Sequence, residues 1–402
     1  DQYLAKLAQC LQFIVSGKDL KETTAVLQKE IYNQPQCVPA LVQLIMSGPE
    51  VDASVKTLAA VELRKQVYKH WDKLDATTSN GIKETLISNL FSIEQKNVRH
   101  AVARVIGEIG SIDIDNGKWD DLLPSLFQAA SNPDTAVRET AMYVVLTIVE
   151  TFITAIATSL NQFLDLLSIT LLESAENTLE TRCLSVQVFN LLGQLIDETI
   201  ESIDPQIIQK YQSLFSPILL VLQTVIQKED ESKAQELFSS LNDFLLFNNK
   251  LAGNNVLEMI RACLQIAANS DIDEEIRCHA IRFLTTSISY KKSKIIQAQL
   301  GSEITLAALK ISSEEVDVED ELTNEDEANE NEENTPVTLA TRLLYFTCTE
   351  LPPSQVTSLI ISSIPEMLSS SNVFANRAVF TALEVAGAGS PDNVLNHLDS
   401  KV

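Results

Sequence analysis

Asn97-Val98-Arg99-His100-Ala101 decides how the chain is read, because the same short pattern returns along its length. A polar or Asn/Asp-bearing turn leads to a β-branched residue and Arg, then to Ala, then to leucines at helical spacing. It recurs at Pro133-Asp134-Thr135-Ala136-Val137-Arg138, at Glu180-Thr181-Arg182-Cys183-Leu184, at Glu275-Ile276-Arg277 and at Asn376-Arg377-Ala378. Weaker copies fit at Lys233-Ala234 and Thr341-Arg342. The basic residues are 39, 44, 51, 44, 65 and 35 positions apart. Five of these six intervals lie near the roughly 40–47 residues of a two-helix HEAT unit.

The pattern has a simple physical content. The polar turn residue caps the second helix of each pair by accepting from free N–H groups. The Ala lets that helix approach its neighbours, and leucines at i, i+3, i+4 and i+7 fill the space between layers. Arg99, Arg138, Arg182 and Arg277 read as scaffold, each bracing adjacent turns through an acidic residue or carbonyl of the next unit. Outward from this register the chain holds roughly nine helix pairs and the start of a tenth. The second pair is expected at 37–46 and 51–71, the sixth at 205–227 and 231–247, and the seventh at 253–268 and 273–290. The eighth has a first helix at 294–312 and a second at 336–349. The fold class is therefore all-α, a HEAT-repeat α-solenoid, expected as one right-handed superhelix of antiparallel helix pairs.

Composition agrees. Among 402 residues there are only 11 Gly and 12 Pro, fewer than a sheet-rich fold with many turns requires. Hydrophobic residues make up 45%, ample for a core. Thirty Lys and Arg against 55 Asp and Glu leave a net charge of −25, with pI ≈ 4.5. That balance argues against direct nucleic-acid binding, which needs clustered cations, and favours a basic protein partner. No apolar run reaches the ~18–20 residues of a membrane span, and Asp1-Gln2-Tyr3 opens without signal-peptide grammar. The chain reads as soluble and intracellular. Starting without Met and stopping at Ser400-Lys401-Val402 just inside a helix, it also reads as a stretch of a longer protein.

One segment breaks the period. Residues 314–334 contain Glu314, Glu315, Asp317, Glu319, Asp320, Glu321, Glu325, Asp326, Glu327, Glu330, Glu332 and Glu333 without a single Lys or Arg. Such a block cannot bury enough apolar surface to offset its ordering entropy and is expected to be a disordered loop. Two readings stay open for it: a solvated insertion without consequence, or an electrostatic arm for a basic ligand or a basic stripe on a partner.

The chemistry of an enzyme is missing. His70, His100, His279 and His397 are not spaced as metal ligands, and Cys10, Cys37, Cys183, Cys263, Cys278 and Cys348 form no CxxC pair. Gly107-Glu108-Ile109-Gly110 is not a phosphate loop, and no GxSxG or HExxH motif occurs. No cofactor is called for. The cluster Lys291-Lys292-Ser293-Lys294 after Tyr290 reads as cations at a helix C-terminus.

Against this background, Ala59-Ala60-Val61-Glu62-Leu63-Arg64-Lys65-Gln66-Val67-Tyr68-Lys69-His70-Trp71 resembles the signature helix of the N-terminal domain of the importin-β superfamily. Thr24-Ala25-Val26-Leu27 resembles the first-repeat helix of those proteins, and the acidic insert lies where they carry an acidic loop in the eighth repeat. Asp317-Val318-Glu319-Asp320-Glu321-Leu322, Asn334-Thr335-Pro336 and Glu350-Leu351-Pro352-Pro353-Ser354-Gln355-Val356 look like a fungal branch of that superfamily. The resemblance covers the whole chain but only the N-terminal part of such a receptor.

It implies a nuclear transport receptor that shuttles between cytoplasm and nucleus and crosses the nuclear pore on phenylalanine–glycine (FG) nucleoporins. Such a receptor binds Ran-GTP and carries basic cargo, in this branch ribosomal proteins and histones H3 and H4. It also implies a division into 1–110 (Ran-binding repeats 1–3), 111–313 (repeats 4–7 and the first helix of the eighth), 314–335 (acidic loop) and 336–402. Carried over by position, Ran contacts fall on Glu62, Arg64, Lys65 and Lys69 and on the acidic loop, which can engage Ran or cargo. Ala59, Leu63 and Val67 face the core instead. Candidate FG pockets fall on first helices at Phe163, Leu167, Tyr211 and Phe215, which serve equally well as plain core. Alternatives to transport are a HEAT interaction scaffold of another class and an acidic histone chaperone.

Overall fold

The computed structural model describes residues 2–114, 116–151, 155–316, 335–389 and 391–399. Among them there is no strand. The chain divides into two compact units, 1–195 and 196–402.

In the first unit, α1 (Gln2–Ser16) is followed by α2 (Leu20–Val26), which widens into a π turn at Leu27–Ile31. Four further pairs follow: α3 (Cys37–Ile45) with α4 (Ala53–His70), and α5 (Ala76–Leu90) with α6 (Lys96–Asp113); then α7 (Leu122–Ala130) with α8 (Thr135–Thr151), and α9 (Leu160–Thr170) with α10 (Leu179–Glu198). Second helices α4, α8 and α10 start where a short polar side chain accepts from free N–H groups; α6 departs from the expectation, since its N-cap Gln95 makes no side-chain cap bond and Asn97 already lies inside the helix. Asp52 Oδ1 accepts from the Ser54 N–H at 2.7 Å and Asp134 Oδ1 from the Ala136 N–H at 2.9 Å. Second helices pack side by side, α4 on α6 and α6 on α8. Glycine permits one close approach: a Cβ on Gly107 of α6 would stand 2.5 Å from Thr147 Cγ2 of α8.

The scaffold reading of the arginines holds, with one correction. Arg138 donates from Nε to the Asn132 carbonyl at 2.9 Å and from Nη1 to Asn177 Oδ1 of the next pair at 2.6 Å. Arg277 donates from Nε to the Ala267 carbonyl at 3.0 Å and from Nη2 to Glu314 at 2.6 Å. The carbonyls that Arg99 reaches, those of Ile93 and Glu94, belong to its own pair instead of the next, and Arg182 also donates back to the Leu171 carbonyl of its own pair. A helix leaves its last carbonyls without intrahelical donors, and in these pairs the first helix ends beside the Arg that begins the second.

The second unit contains α11 (Pro205–Ser213), α12 (Phe215–Gln227), α13 (Glu231–Phe244), the single turn α14 (Asn249–Ala252), α15 (Asn255–Ala268) and α16 (Glu274–Gln297). It continues with α17 (Leu300–Ser312), α18 (Pro336–Glu350), α19 (Thr357–Ser369), α20 (Val373–Gly389) and α21 (Pro391–Asp399). Two expectations change here. The single helix over 205–227 is two, because Pro217 has no N–H for the Ser213 carbonyl and its ring crowds that turn. The seventh second helix does not stop at Tyr290: α16 runs to Gln297 through one non-helical residue, Lys291 (φ −124°, ψ 22°), so the eighth first helix starts at Leu300 and not at 294.

The lysine cluster consequently does more than face its own helix end. The Lys291 amine donates to the Phe247 carbonyl, Lys294 donates to that of Gly253, and Lys292 pairs with Glu350 at 3.1 Å. Burial, and then the neighbouring Lys294 charge, lower the Lys291 pKa.

Candidate protein-binding surface

The signature helix α4 divides its residues as the four-residue spacing requires. Ala59, Leu63 and Val67 are fully buried, Arg64, Lys65 and Lys69 are exposed, and Glu62 is half-buried. Fully burying a Leu or Val side chain stabilises by roughly 1.5–3 kcal/mol, so this orientation is held by the core. The charged face is thereby presented beside the next second helices.

A continuous polar band runs across α4, α6 and α8 to α10. Lys65 pairs with Glu62 at 2.7 Å, and Arg64 Nε stands 4.0 Å from Glu108 of α6. Arg104 donates from Nε to the Tyr143 hydroxyl of α8 at 2.9 Å. The Tyr143 ring stacks on His100 at 3.8 Å between centroids and 11° between planes. One turn further, Lys96 bridges Glu139 at 3.4 Å and Glu180 at 3.9 Å. Burial, and then the charges of Lys96 and Arg99, lower the His100 pKa. Exposed pairs of this kind add little to stability; what they do is fix where the charges point. A cavity of about 280 Å³ opens in the band between Arg64, Arg104, Tyr143, Glu150 and Gln187.

Arg104, Glu108, Tyr143 and Gln187 escaped the reading of the sequence, although a signal existed. Arg64, Arg104, Tyr143 and Gln187 are 40, 39 and 44 residues apart, the interval of the repeat itself. Residues on one face of a solenoid recur at its period whatever their type, so a search for one motif passes over them.

The other candidates separate. Phe163, Leu167 and Tyr211 have no exposed surface and Phe215 is 3% exposed, so these four are core and do not offer a surface pocket. Apolar surface among first helices lies elsewhere: a groove of about 960 Å³ among α1, α3 and α5, lined by Leu4, Ala8, Val42, Met46, Val51 and Ile82 among others. Of the acidic loop, Glu314 and Glu315 are described, and the ten acidic residues from Asp317 to Glu333 lie outside the described residues. Glu314 is not a free arm, since its carboxylate is held at 2.6 Å by the buried Arg277. Glu315 is exposed. No cluster of His, Cys, Asp or Glu among the described residues could hold a metal ion, and no described helix is long and apolar enough to cross a membrane.

Two family profiles match the chain, the Importin-beta N-terminal domain over residues 25–92 and the IPO5-like TPR repeats over residues 94–251. Together they span more than half of it. Although the second description names TPR repeats, the ~40-residue spacing here is that of HEAT units instead of the 34 of TPR units. A probable importin subunit beta-4 of Schizosaccharomyces pombe is 28% identical over 99% of this chain and 35% of its own length. Importin-4 of Mus musculus is 21% identical over 94% of the chain and 34% of its own. The chain thus spans about a third of the length of these relatives. Among solved structures, Kap121p superposes with a TM-score of 0.82 at 19% identity, covering 99% of this chain and 38% of that one. Kap121p bound to RanGTP gives 0.79 at 18% identity, covering 97% and 37%. These likenesses agree with a HEAT solenoid.

Proposed function

Because this chain belongs to the importin-β superfamily, we propose that it is the N-terminal part of a nuclear transport receptor that exchanges basic cargo for Ran-GTP. Members of that family are transport receptors and not enzymes. The observation that carries the reading is the signature helix α4, whose apolar side is locked in the core while Arg64, Lys65 and Lys69 project beside α6. Ran-GTP engages this face together with the acidic segment after Glu315. FG nucleoporins engage the apolar groove among α1, α3 and α5, and the protein shuttles between cytoplasm and nucleus. The net charge of −25 favours basic cargo; ribosomal proteins and histones H3 and H4 are the proposed examples. In related solved structures Kap121p is bound to RanGTP, to Nup53p and to Pho4p, which supports the same classes of partner here.

Release needs only a differential affinity of a few kcal/mol between the Ran-bound and cargo-bound states. The test is binding of the purified chain to Ran loaded with a non-hydrolysable GTP analogue against Ran-GDP, at moderate salt. Strong preference for the GTP form is expected, weakened by Arg64→Glu with Lys65→Glu. Equal binding of both nucleotide forms would instead favour a scaffold or a chaperone.

A further inference from the structure

We propose that the cavity between Arg64, Arg104 and Tyr143 is a socket for the carboxylate of a single acidic side chain on a protein partner. This assignment does not depend on the transport reading. It rests on how the two guanidinium groups are held. Arg104 spends Nε on the Tyr143 hydroxyl at 2.9 Å, and Tyr143 is itself fixed by its stack on His100 at 3.8 Å. Arg64 turns Nε toward Glu108 at 4.0 Å. Arg104 is therefore steadied on one edge, Arg64 is oriented only by the Glu108 charge, and among the described residues the terminal nitrogens of both meet no acceptor. Both line the same cavity. Preorganised guanidinium edges are the protein's standard means of binding a carboxylate, by paired charge-assisted hydrogen bonds.

Size and charge narrow the ligand. About 280 Å³ falls just below the range of small-molecule sites and suits one side chain. Glu108 and Glu150 also line the cavity. They repel a dianionic phosphate or a run of acids more than a lone carboxylate, so the segment recognised carries one Asp or Glu among neutral or basic residues. Tyr143 is a positioning residue, acting through Arg104.

The experiment follows the side-chain Nε resonances of ¹⁵N-labelled arginine by NMR in the full chain. The probe is a ten-residue Gly/Lys peptide with one central Glu, titrated against the same peptide bearing Gln. The expected result is a saturable shift of the Arg64 and Arg104 signals with the Glu peptide and about tenfold weaker binding of the Gln peptide. Arg104→Gln should weaken the Glu peptide to the level of the Gln peptide, and Tyr143→Phe by roughly threefold, both with unchanged thermal transitions. Equal binding of the two peptides, shifts spread over all arginines, or tighter binding of inorganic phosphate at these two signals would each overturn the assignment.

Discussion

The arginines at the entrance of the second helices and those in the middle of the same helices behave as different residues. Arg138 and Arg277 are 6% and 3% exposed and make three and two hydrogen bonds to carbonyls and neighbouring side chains. The Arg64 side chain is 50% exposed and Arg104 lies open on α6. Their surroundings explain the contrast. At the entrance, the preceding helix has just ended and leaves carbonyls without donors, so a five-donor side chain is absorbed into the scaffold. In the body of a helix each carbonyl already accepts from the N–H four residues on, so a long guanidinium there turns to other side chains or to a partner.

The largest effect expected from this contrast is on stability. Arg138→Ala should cost about 2–4 kcal/mol, because it leaves carbonyls and Asn177 without a charged donor in a buried setting. Arg104→Ala should change stability by less than about 0.5 kcal/mol, as surface substitutions do. Thermal unfolding of the two variants side by side makes the check. Similar losses in both would mean that entrance and body positions do not differ, and the contrast would have to be abandoned.

A smaller effect sharpens the boundary between scaffold and acidic segment. Read from composition, the block from Glu314 onward is one solvated stretch whose neutralisation leaves melting unaltered. With its carboxylate 2.6 Å from the buried Arg277 and its side chain 24% exposed, Glu314 belongs to the scaffold. Glu314→Gln should therefore lower stability by about 1–2 kcal/mol, discounted for the partial exposure, while Glu315→Gln should lie within about 0.5 kcal/mol of the parent. Denaturant titration of the two single variants distinguishes neighbours in sequence that composition treats alike. An equal midpoint for both would return Glu314 to the solvated segment.

These cases show what was legible beforehand. The period, the all-helical class and the core side of α4 follow from local spacing, and Ala59, Leu63 and Val67 lie where a four-residue rule puts them. Contacts between repeats are another matter, because their partners sit about forty residues apart. Arg277 with Glu314, Lys291 with the Phe247 carbonyl, and Arg104 with Tyr143 are 37, 44 and 39 residues apart. A motif search names the scaffold arginine but not what it holds. The FG candidates failed for a related reason: Phe163 and Phe215 are apolar on a first helix, and periodicity alone cannot tell a pocket wall from the core behind it.

The subtlest comparison concerns the two stacked histidines, one in each unit. His100 lies on Tyr143, and His279 lies 5.8 Å from Phe238 with planes 19° apart. Burial is the first cause that lowers both pKa values, with Lys96 and Arg99 adding to it at His100 and Arg282 at His279. The folded state thus prefers each ring neutral, while the unfolded chain protonates near pH 6.5. Stability is complete above that value and is lost as pH falls below it through the folded pKa, since the unfolded chain binds the proton first. His100→Phe keeps the ring on Tyr143 but removes the proton site. Chemical denaturation between pH 7.5 and 5.5 should show a shallower loss for this variant than for the parent. Identical slopes would mean that the His100 stack tolerates the charged ring, and the two units would then differ in how they hold a half-buried imidazole.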